Sequence, residues 1–264
     1  MKLYRVYTFD FRWNPNLSSL PAESPEKVTK FQGLLLDGCA FTDIPEVVQH
    51  AQLRTVSLVD NKLTSVDFSK FNYDFLDQLF LDGNDLKTFG KLQSDKMILL
   101  SLNNCGLSSI PDLTGMKNLR YFSATNNHIS QVVEGQFKEN TKLSVIDLSD
   151  NTSLTTVPAD FGVYSESKDG RNVPVNLTAV DLDGCTALNW VVPADWCCID
   201  GDILFGGNGD KQLSDRTVIV YNRNTGVTYA PCWNADCPFR LESNHYQLQF
   251  RQNFEEIWAE VHNN

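Results

Sequence analysis

The chain has 264 residues, of which 42% are apolar and 21% charged, a composition that fits a folded domain and excludes a disordered or fibrous protein. Its formal net charge of -11 would repel phosphate backbones and anionic lipid, and no basic cluster offsets this locally, so neither nucleic acid nor a membrane surface is an expected partner. Met1 to Trp13 carries Lys2, Arg5, Asp10 and Arg12 among its aromatics and so lacks the apolar run of a secretory signal; no stretch reaches the roughly 18 consecutive apolar residues that would cross a bilayer as a helix.

Taken in chain order, the predicted elements are copies of one unit. The first is stretched: Val6, Phe9, Phe11, Asn14, Leu17, Leu20 and Pro21. Next come Phe31 to Pro45, then Leu53, Val56, Leu58, Asn61, Leu63 and Val66, then Leu76, Leu79, Leu81, Asn84, Leu86 and Phe89, which reads L-x-x-L-x-L-x-x-N-x-L-x-x-F. Met97 to Pro111, Leu119 to Val132, Leu143 to Pro158 and Leu177 to Pro193 follow, and Ile203, Phe205 and Asn208 keep the first half of the pattern. One position in each unit is always Asn or Cys: Asn14, Cys39, Asn61, Asn84, Cys105, Asn127, Asn151, Cys185 and Asn208. By subtraction these anchors are spaced 25, 22, 23, 21, 22, 24, 34 and 23 residues apart.

This pattern resembles the leucine-rich-repeat family over roughly Val6 to Asn208. The resemblance implies an α/β solenoid, mostly β: a right-handed horseshoe with a parallel concave sheet, an irregular convex side and a small C-terminal cap. Each L-x-L pair is a short strand with alternate side chains turned inward, and each unit buries its open end against the next. An inward Asn can satisfy backbone groups left unpaired where the strand turns, and a small Cys tolerates the same burial, so Cys39, Cys105 and Cys185 are expected as buried free thiols. The variable second halves, such as Glu46 to Gln52, Ser69 to Phe75 and Val133 to Lys142, should form irregular turns or short helical pieces.

The 34-residue spacing holds about ten extra residues, placed at the polar run Ser165 to Pro174, which should loop out of the stack. From residue 211 the period ends, which divides the chain into a solenoid of about nine repeats over 1–210 and a capping region over 211–264. Thr217 to Tyr221 and Val227 to Ala230, separated by Asn224, Thr225 and Gly226, read as a hairpin; His245 to Phe250 alternates like a strand, and a short helix from Asn253 ends near His262. Cys197, Cys198, Cys232 and Cys237 cluster here, and their even number suggests two disulfides joining Cys197 or Cys198 to Cys232 or Cys237, with a zinc site as the rival. The arrangement resembles the cysteine-bearing C-terminal caps of extracellular leucine-rich-repeat proteins, with Trp196-Cys197-Cys198 in place of their Cys-x-Cys start.

Asn-x-Ser/Thr sequons stand at Asn16, Asn151 and Asn176, all readable as glycosylated surface positions in a secretory setting. Strand alternation predicts which side chains face outward from the sheet. The central column runs Asp10, Leu35, Ser57, Phe80, Ser101, Ser123, Asp147, Asp181 and Leu204. The column after it runs Arg12, Asp37, Val59, Asp82, Asn103, Thr125, Ser149 and Asp183, and the one before it contains Thr8, Gly33, Thr55, Gln78, Leu99, Tyr121, Val145 and Ala179. Leu35, Val59, Phe80, Leu99 and Tyr121 are therefore expected as a solvent-facing apolar patch, with Asp147, Asp150, Asp181 and Asp183 as an acidic strip, together the candidate partner-binding surface.

His50, His128, His245 and His262 fall on different units, and there is no Gly-x-Ser-x-Gly elbow, phosphate-cradling loop or His-Glu-x-x-His motif, so no catalytic residues, metal ligands or cofactor are assigned. The expected function is recognition of a protein or peptide partner at the cell surface or outside the cell. An intracellular scaffold or regulator, and a self-assembling surface protein, stay open beside it.

Overall fold

A computed structural model describes residues 8–21, 31–86, 88–158, 161 and 179–188, together with the strands 202–204, 220–222 and 227–229. Nine short strands stack in parallel: β1 (Thr8–Asp10), β2 (Gly33–Leu35), β3 (Thr55–Ser57), β5 (Gln78–Phe80), β7 (Leu99–Ser101), β8 (Tyr121–Ser123), β9 (Val145–Asp147), β10 (Ala179–Asp181) and β11 (Asp202–Leu204). Their register has no slip, since Asp10, Leu35, Ser57, Phe80, Ser101, Ser123, Asp147, Asp181 and Leu204 stand opposite one another in turn. The sheet continues through β12 (Val220–Asn222), parallel to β11, and β13 (Val227–Tyr229), which turns back antiparallel with Val220 opposite Tyr229. This is the hairpin expected near residue 220, here joined to the solenoid's own sheet.

Two inward rows make the core. Leu34, Val56, Leu79, Leu100, Phe122, Ile146 and Val180 are at most 1% exposed, and Leu36, Leu58, Leu81, Leu102, Ala124, Leu148 and Leu182 are fully buried. Full burial of a Leu or Val stabilises by about 1.5–3 kcal/mol, and every row needs the coil beside it to achieve that burial. On the other wall of the coil lie α1 (Val47–His50), the 3-10 turn Phe68–Lys70, and the short parallel pair β4 (Ser65–Val66) and β6 (Thr88–Phe89). Aromatic rings thicken this wall: Phe68 meets Phe89 at 4.7 Å, and Phe137 bridges Phe122 at 5.9 Å to Phe161 at 5.8 Å.

Among the described residues, the chain turns sharply after each stacked strand from β1 to β10, at a residue with positive φ just before the anchor. Trp13, Gly38, Asp60, Gly83, Asn104, Asn126, Asp150 and Gly184 occupy that place, with φ between 51° and 71°. Gly, Asn and Asp tolerate the left-handed conformation, so seven of the eight fit their backbone, and Trp13 is the exception. Among the described residues no helix is long and apolar enough to cross a membrane.

The predicted insertion at 165–174, the strand from His245, the helix from Asn253, and Cys197, Cys198, Cys232, Cys237, Asn176 and Asn208 lie outside the described residues.

Candidate functional site

The sheet's outward face rests on the anchor ladder beneath it. Asn61 Nδ2 donates to Leu36 O of the preceding coil at 2.9 Å and to Val59 O at 3.1 Å, while its Oδ1 accepts from Phe41 N at 3.0 Å. Asn84 repeats the arrangement toward Leu58 O and Leu63 N, Asn127 toward Leu102 O and Leu107 N, and Asn151 toward Ala124 O and Ile129 N. Each amide thus binds its own turn to the coil before it. At the Cys positions the thiol supplies only the donor: Cys39 Sγ to Phe11 O at 3.3 Å, Cys105 to Leu81 O at 3.2 Å, Cys185 to Leu148 O at 3.2 Å. All three are free and buried. Desolvation raises all three thiol pKa values, pushing Cys105 and Cys185 up to about 12, so these are structural hydrophobes and not nucleophiles.

Asn151 carries a correction. It was expected as a glycan acceptor, but it is fully buried and its Nδ2 donates to Ala124 O and Leu148 O, both at 2.9 Å. A nitrogen committed to two core carbonyls offers no room for a sugar, and the ladder use of this residue overrides its sequon. Asn16 is exposed.

The apolar patch also differs from expectation. Leu35, Val59, Phe80 and Leu99 are 2%, 8%, 0% and 2% exposed, so they are not a free surface; Tyr121 is half-buried. Val59, Phe80, Leu99 and Tyr121 form a second small hydrophobic cluster, separate from the main core, along a diagonal across four neighbouring strands' coils. The physical reason is lateral. Strands lie about 4.8 Å apart, and Phe80 stands between the small Ser57 and Ser101, so its ring can settle against its diagonal neighbours.

A polar ladder, which the sequence reading missed, flanks this cluster. Asp82 Oδ1 accepts from Ser101 Oγ at 2.7 Å and Asn103 N at 2.5 Å, and Asn103 Oδ1 accepts from Ser123 Oγ at 2.6 Å and Thr125 N at 2.8 Å. Asp37 does the same for Ser57 Oγ and Val59 N. Ser57, Ser101 and Ser123 are therefore fully buried although they sit on the outward column. The available signal was an Asp or Asn about one coil before each Ser.

Toward the C-terminal strands Asp147 and Asp181 are register neighbours, and each turns its carboxylate onto a backbone N–H two residues on, Ser149 N at 3.0 Å and Asp183 N at 2.9 Å. Surrounding protein raises the pKa of Asp147 chiefly by desolvation, against hydrogen bonds from Ser149 and Thr125, with the charge of Asp150 adding to the rise. Asp181 and Asp183 are buried, whereas Asp60 and Asp150 are exposed on the line of turns at the strands' C-terminal ends, beside exposed Asn104 and Asn126. At the opposite ends of the strands an open groove of about 470 Å³ is lined by Arg54, Phe75, Asp77, Lys96 and Arg120. Arg54 binds Asp77 at 2.5 Å, and Phe75 is 40% exposed. No group of three or more His, Cys, Asp or Glu among the described residues could hold a metal ion.

No model of a known protein family matches the chain. It is 26% identical over 246 residues to the Arabidopsis thaliana protein SUPPRESSOR OF npr1-1, CONSTITUTIVE 1, an alignment spanning 77% of this chain but only 17% of that protein. Among solved structures it is similar to a leucine-rich-repeat protein of Leptospira interrogans, with 21% identity and a TM-score of 0.58 over 76% of this chain and 54% of the other. An internalin from Listeria monocytogenes is similar at 18% identity and a TM-score of 0.53, over 80% of this chain and 62% of that one. The unbroken register, the Asn and Cys ladder and these likenesses together identify the fold of this chain as that of the leucine-rich-repeat solenoids.

Proposed function

We propose that this chain is a non-enzymatic recognition module that binds a protein or peptide partner across the outward face of its parallel sheet. One observation carries the reading: the Asp–Ser and Asn–Ser ladder ties the outward side of each strand to the next, so the sheet that presents this face is braced laterally before a partner arrives. A preorganised face loses little side-chain entropy on binding. The contact surface is revised from the sequence reading. Leu35, Val59, Phe80 and Leu99 brace it from within, Tyr121 offers its partly exposed ring, and Asp147 and Asp150 offer charge, with Asp181 and Asp183 shaping the field behind them. A partner with an apolar anchor for Tyr121 and basic groups toward the C-terminal strands fits best.

The test is a peptide-display selection against the folded chain, followed by mapping of the binders. Tyr121→Glu and Asp150→Lys should each abolish capture, while Lys138→Glu on the other wall should leave it unchanged. Binders lost with Lys138→Glu and indifferent to both other changes would reject the assignment. We place the module at the cell surface or outside the cell, supported by the sequons at Asn16 and Asn176 and the four clustered cysteines; glycan mapping and non-reducing peptide mapping test this setting, and four reduced thiols with bare sequons would turn it toward an intracellular scaffold.

A further inference from the structure

The charge of this chain is divided between the two rims of its sheet. The turns at the strands' C-terminal ends carry Asp37, Asp60, Asp82, Asp150 and Asp183, whereas Arg54, Lys96, Lys117, Arg120 and Lys142 stand at the opposite rim, where each coil enters the sheet. These cations come from four coils, so no basic run in the sequence announces them and only stacking brings them together. Arg54, Asp77, Ile98 and Arg120 immediately precede β3, β5, β7 and β8. Each is joined to the next through the backbone, Asp77 N to Arg54 O at 3.0 Å, Ile98 N to Asp77 O at 2.8 Å and Arg120 N to Ile98 O at 2.9 Å. The row therefore extends the sheet and shares its fixed spacing of about 4.8 Å per coil.

The charges of this rim are unequally used. Asp77 is buried and held by Arg54, whose Nε and Nη2 reach its Oδ2 at 2.9 and 2.5 Å, so that pair satisfies itself. Arg120 is exposed and makes no ion pair among the described residues, and Lys96 has only Asp95 at 3.8 Å, with both side chains more than half exposed. Half-buried Ile98 and the 40% exposed ring of Phe75 line the same groove. A second groove of about 450 Å³ shares Asp74, Asp95 and Lys96 with it and adds Lys117, likewise exposed and without an ion pair among the described residues. From this we infer that the rim is a second docking surface, which seats an acidic segment of a partner protein bearing one apolar side chain. That side chain lies against Phe75 and Ile98, and the segment's carboxylates meet Arg120, Lys96 and Lys117. A guanidinium can grip a carboxylate through two parallel N–H groups, and arginine beside an aromatic ring is a combination that interfaces favour. A nucleic acid fits less well, because its regular phosphates would face exposed Asp74 and Asp95 in the same grooves, whereas a peptide can space its carboxylates around them. Asp150 lies on the opposite rim, so this surface and the outward face can be tested apart.

The probe is a panel of labelled short peptides, each with a single Phe flanked by Glu at varied spacing, titrated with the full chain by fluorescence polarisation. At least one should bind saturably and weaken as salt is added. Arg120 and Lys96 are exposed, so reversing their charge leaves the fold intact, as circular dichroism would verify. Arg120→Glu and Lys96→Glu should each weaken the bound peptide about tenfold or more, Phe75→Ala should weaken it as well, and Asp150→Lys should leave it unchanged. The same peptide with Lys in place of Glu should not bind. Failure of every peptide in the panel overturns the inference, as does equal binding of the Lys peptide, or binding that survives Arg120→Glu and is lost with Asp150→Lys. A single-stranded DNA oligonucleotide that binds more tightly than every peptide and ignores Phe75→Ala overturns it in favour of a nucleic acid.

Discussion

Replacing Asn84 by Ala removes a buried amide that links the backbones of two neighbouring coils. Its Nδ2 donates to Leu58 O at 2.9 Å, Leu81 O at 2.8 Å and Asp82 O at 3.2 Å, and its Oδ1 accepts from Leu63 N at 3.0 Å. Water cannot replace it freely, because Asn84 is 3% exposed and Leu58 and Leu63 are fully buried. Leaving a buried backbone group unsatisfied costs about 1–3 kcal/mol, and Leu63 N–H and Leu58 C=O are the two with no evident substitute, so the expected loss is about 3–5 kcal/mol. Asn84→Cys should cost less, about half of that, since Cys105 shows how a thiol in this role still donates to the preceding coil's carbonyl at 3.2 Å while the amide of Leu86 finds Cys105 O at 2.9 Å.

Urea unfolding gives the stability order, wild type above Asn84→Cys above Asn84→Ala. Amide hydrogen exchange locates the cause: the Leu63 N–H should lose protection in Asn84→Ala before amides several coils away do, because coils contact only their neighbours. An Asn84→Ala variant within about 0.5 kcal/mol of wild type, with Leu63 still protected, would refute the idea that the amide ladder binds the coils.

Four further outcomes follow from the same geometry. Phe80→Ala should lose about 3–5 kcal/mol in chemical denaturation, since its ring is wholly buried in the outward cluster; a loss below about 1 kcal/mol would mean that the ring is not packed there. Cys105 and Cys185 should resist alkylation in the folded chain near neutral pH, and because their folded pKa values are raised to about 12 from 9.0, the stability they contribute should be complete below pH 9 and drain away between 9 and 12, as pH-dependent unfolding would record. The folded pKa of Asp147 is raised, so its ionisation opposes folding above the ordinary carboxylate range; Asp147→Asn should raise the unfolding midpoint at neutral pH, and the gain should fade in acid, where the native carboxyl is protonated in both states. Gly83→Ala should destabilise by about 1–2 kcal/mol or more, since φ is +68° and a methyl there would overlap Asp60 Oδ1, whereas Asn126→Gly, at φ 52°, should be tolerated; thermal melts of the pair check both signs.

How much of this was legible in the sequence depends on whether the determining contacts run along the chain or across it. The anchor positions were readable because only a side chain with both donor and acceptor, or a small thiol, can serve the turn that Asn61, Asn84 and Cys105 serve, and the need recurs once per coil. The register followed from the same recurrence, which is why the predicted central column from Asp10 to Leu204 is the observed one. Burial of the outward face was not readable. Alternation says that Phe80 points away from the core; it does not say that Ser57 and Ser101 leave the ring room to lie against Val59 and Leu99. For Asn151 two local motifs overlapped, and only the fold could decide that the ladder's claim on its amide excludes a glycan.

The outward face therefore has two layers that sequence spacing collapses into one. Serines and the Asp or Asn of the preceding coil, with the Val59–Phe80–Leu99 cluster, make a buried inner layer that fixes the strands laterally. Above and beside it lie Tyr121, Asp147 and the exposed turn residues Asp60, Asn104, Asn126 and Asp150. The inner layer can change only by altering the sheet itself, because the bonds from Asp37, Asp82 and Asn103 to the following Ser join one coil to the next. The turn residues answer to a weaker constraint, tolerance of a positive φ, which Gly meets freely and Asn and Asp meet more readily than other side chains. Charge on that line can thus vary while the backbone stays fixed. A solenoid built this way can change its surface charge at Asp60 or Asp150 without disturbing the ladder that holds it together.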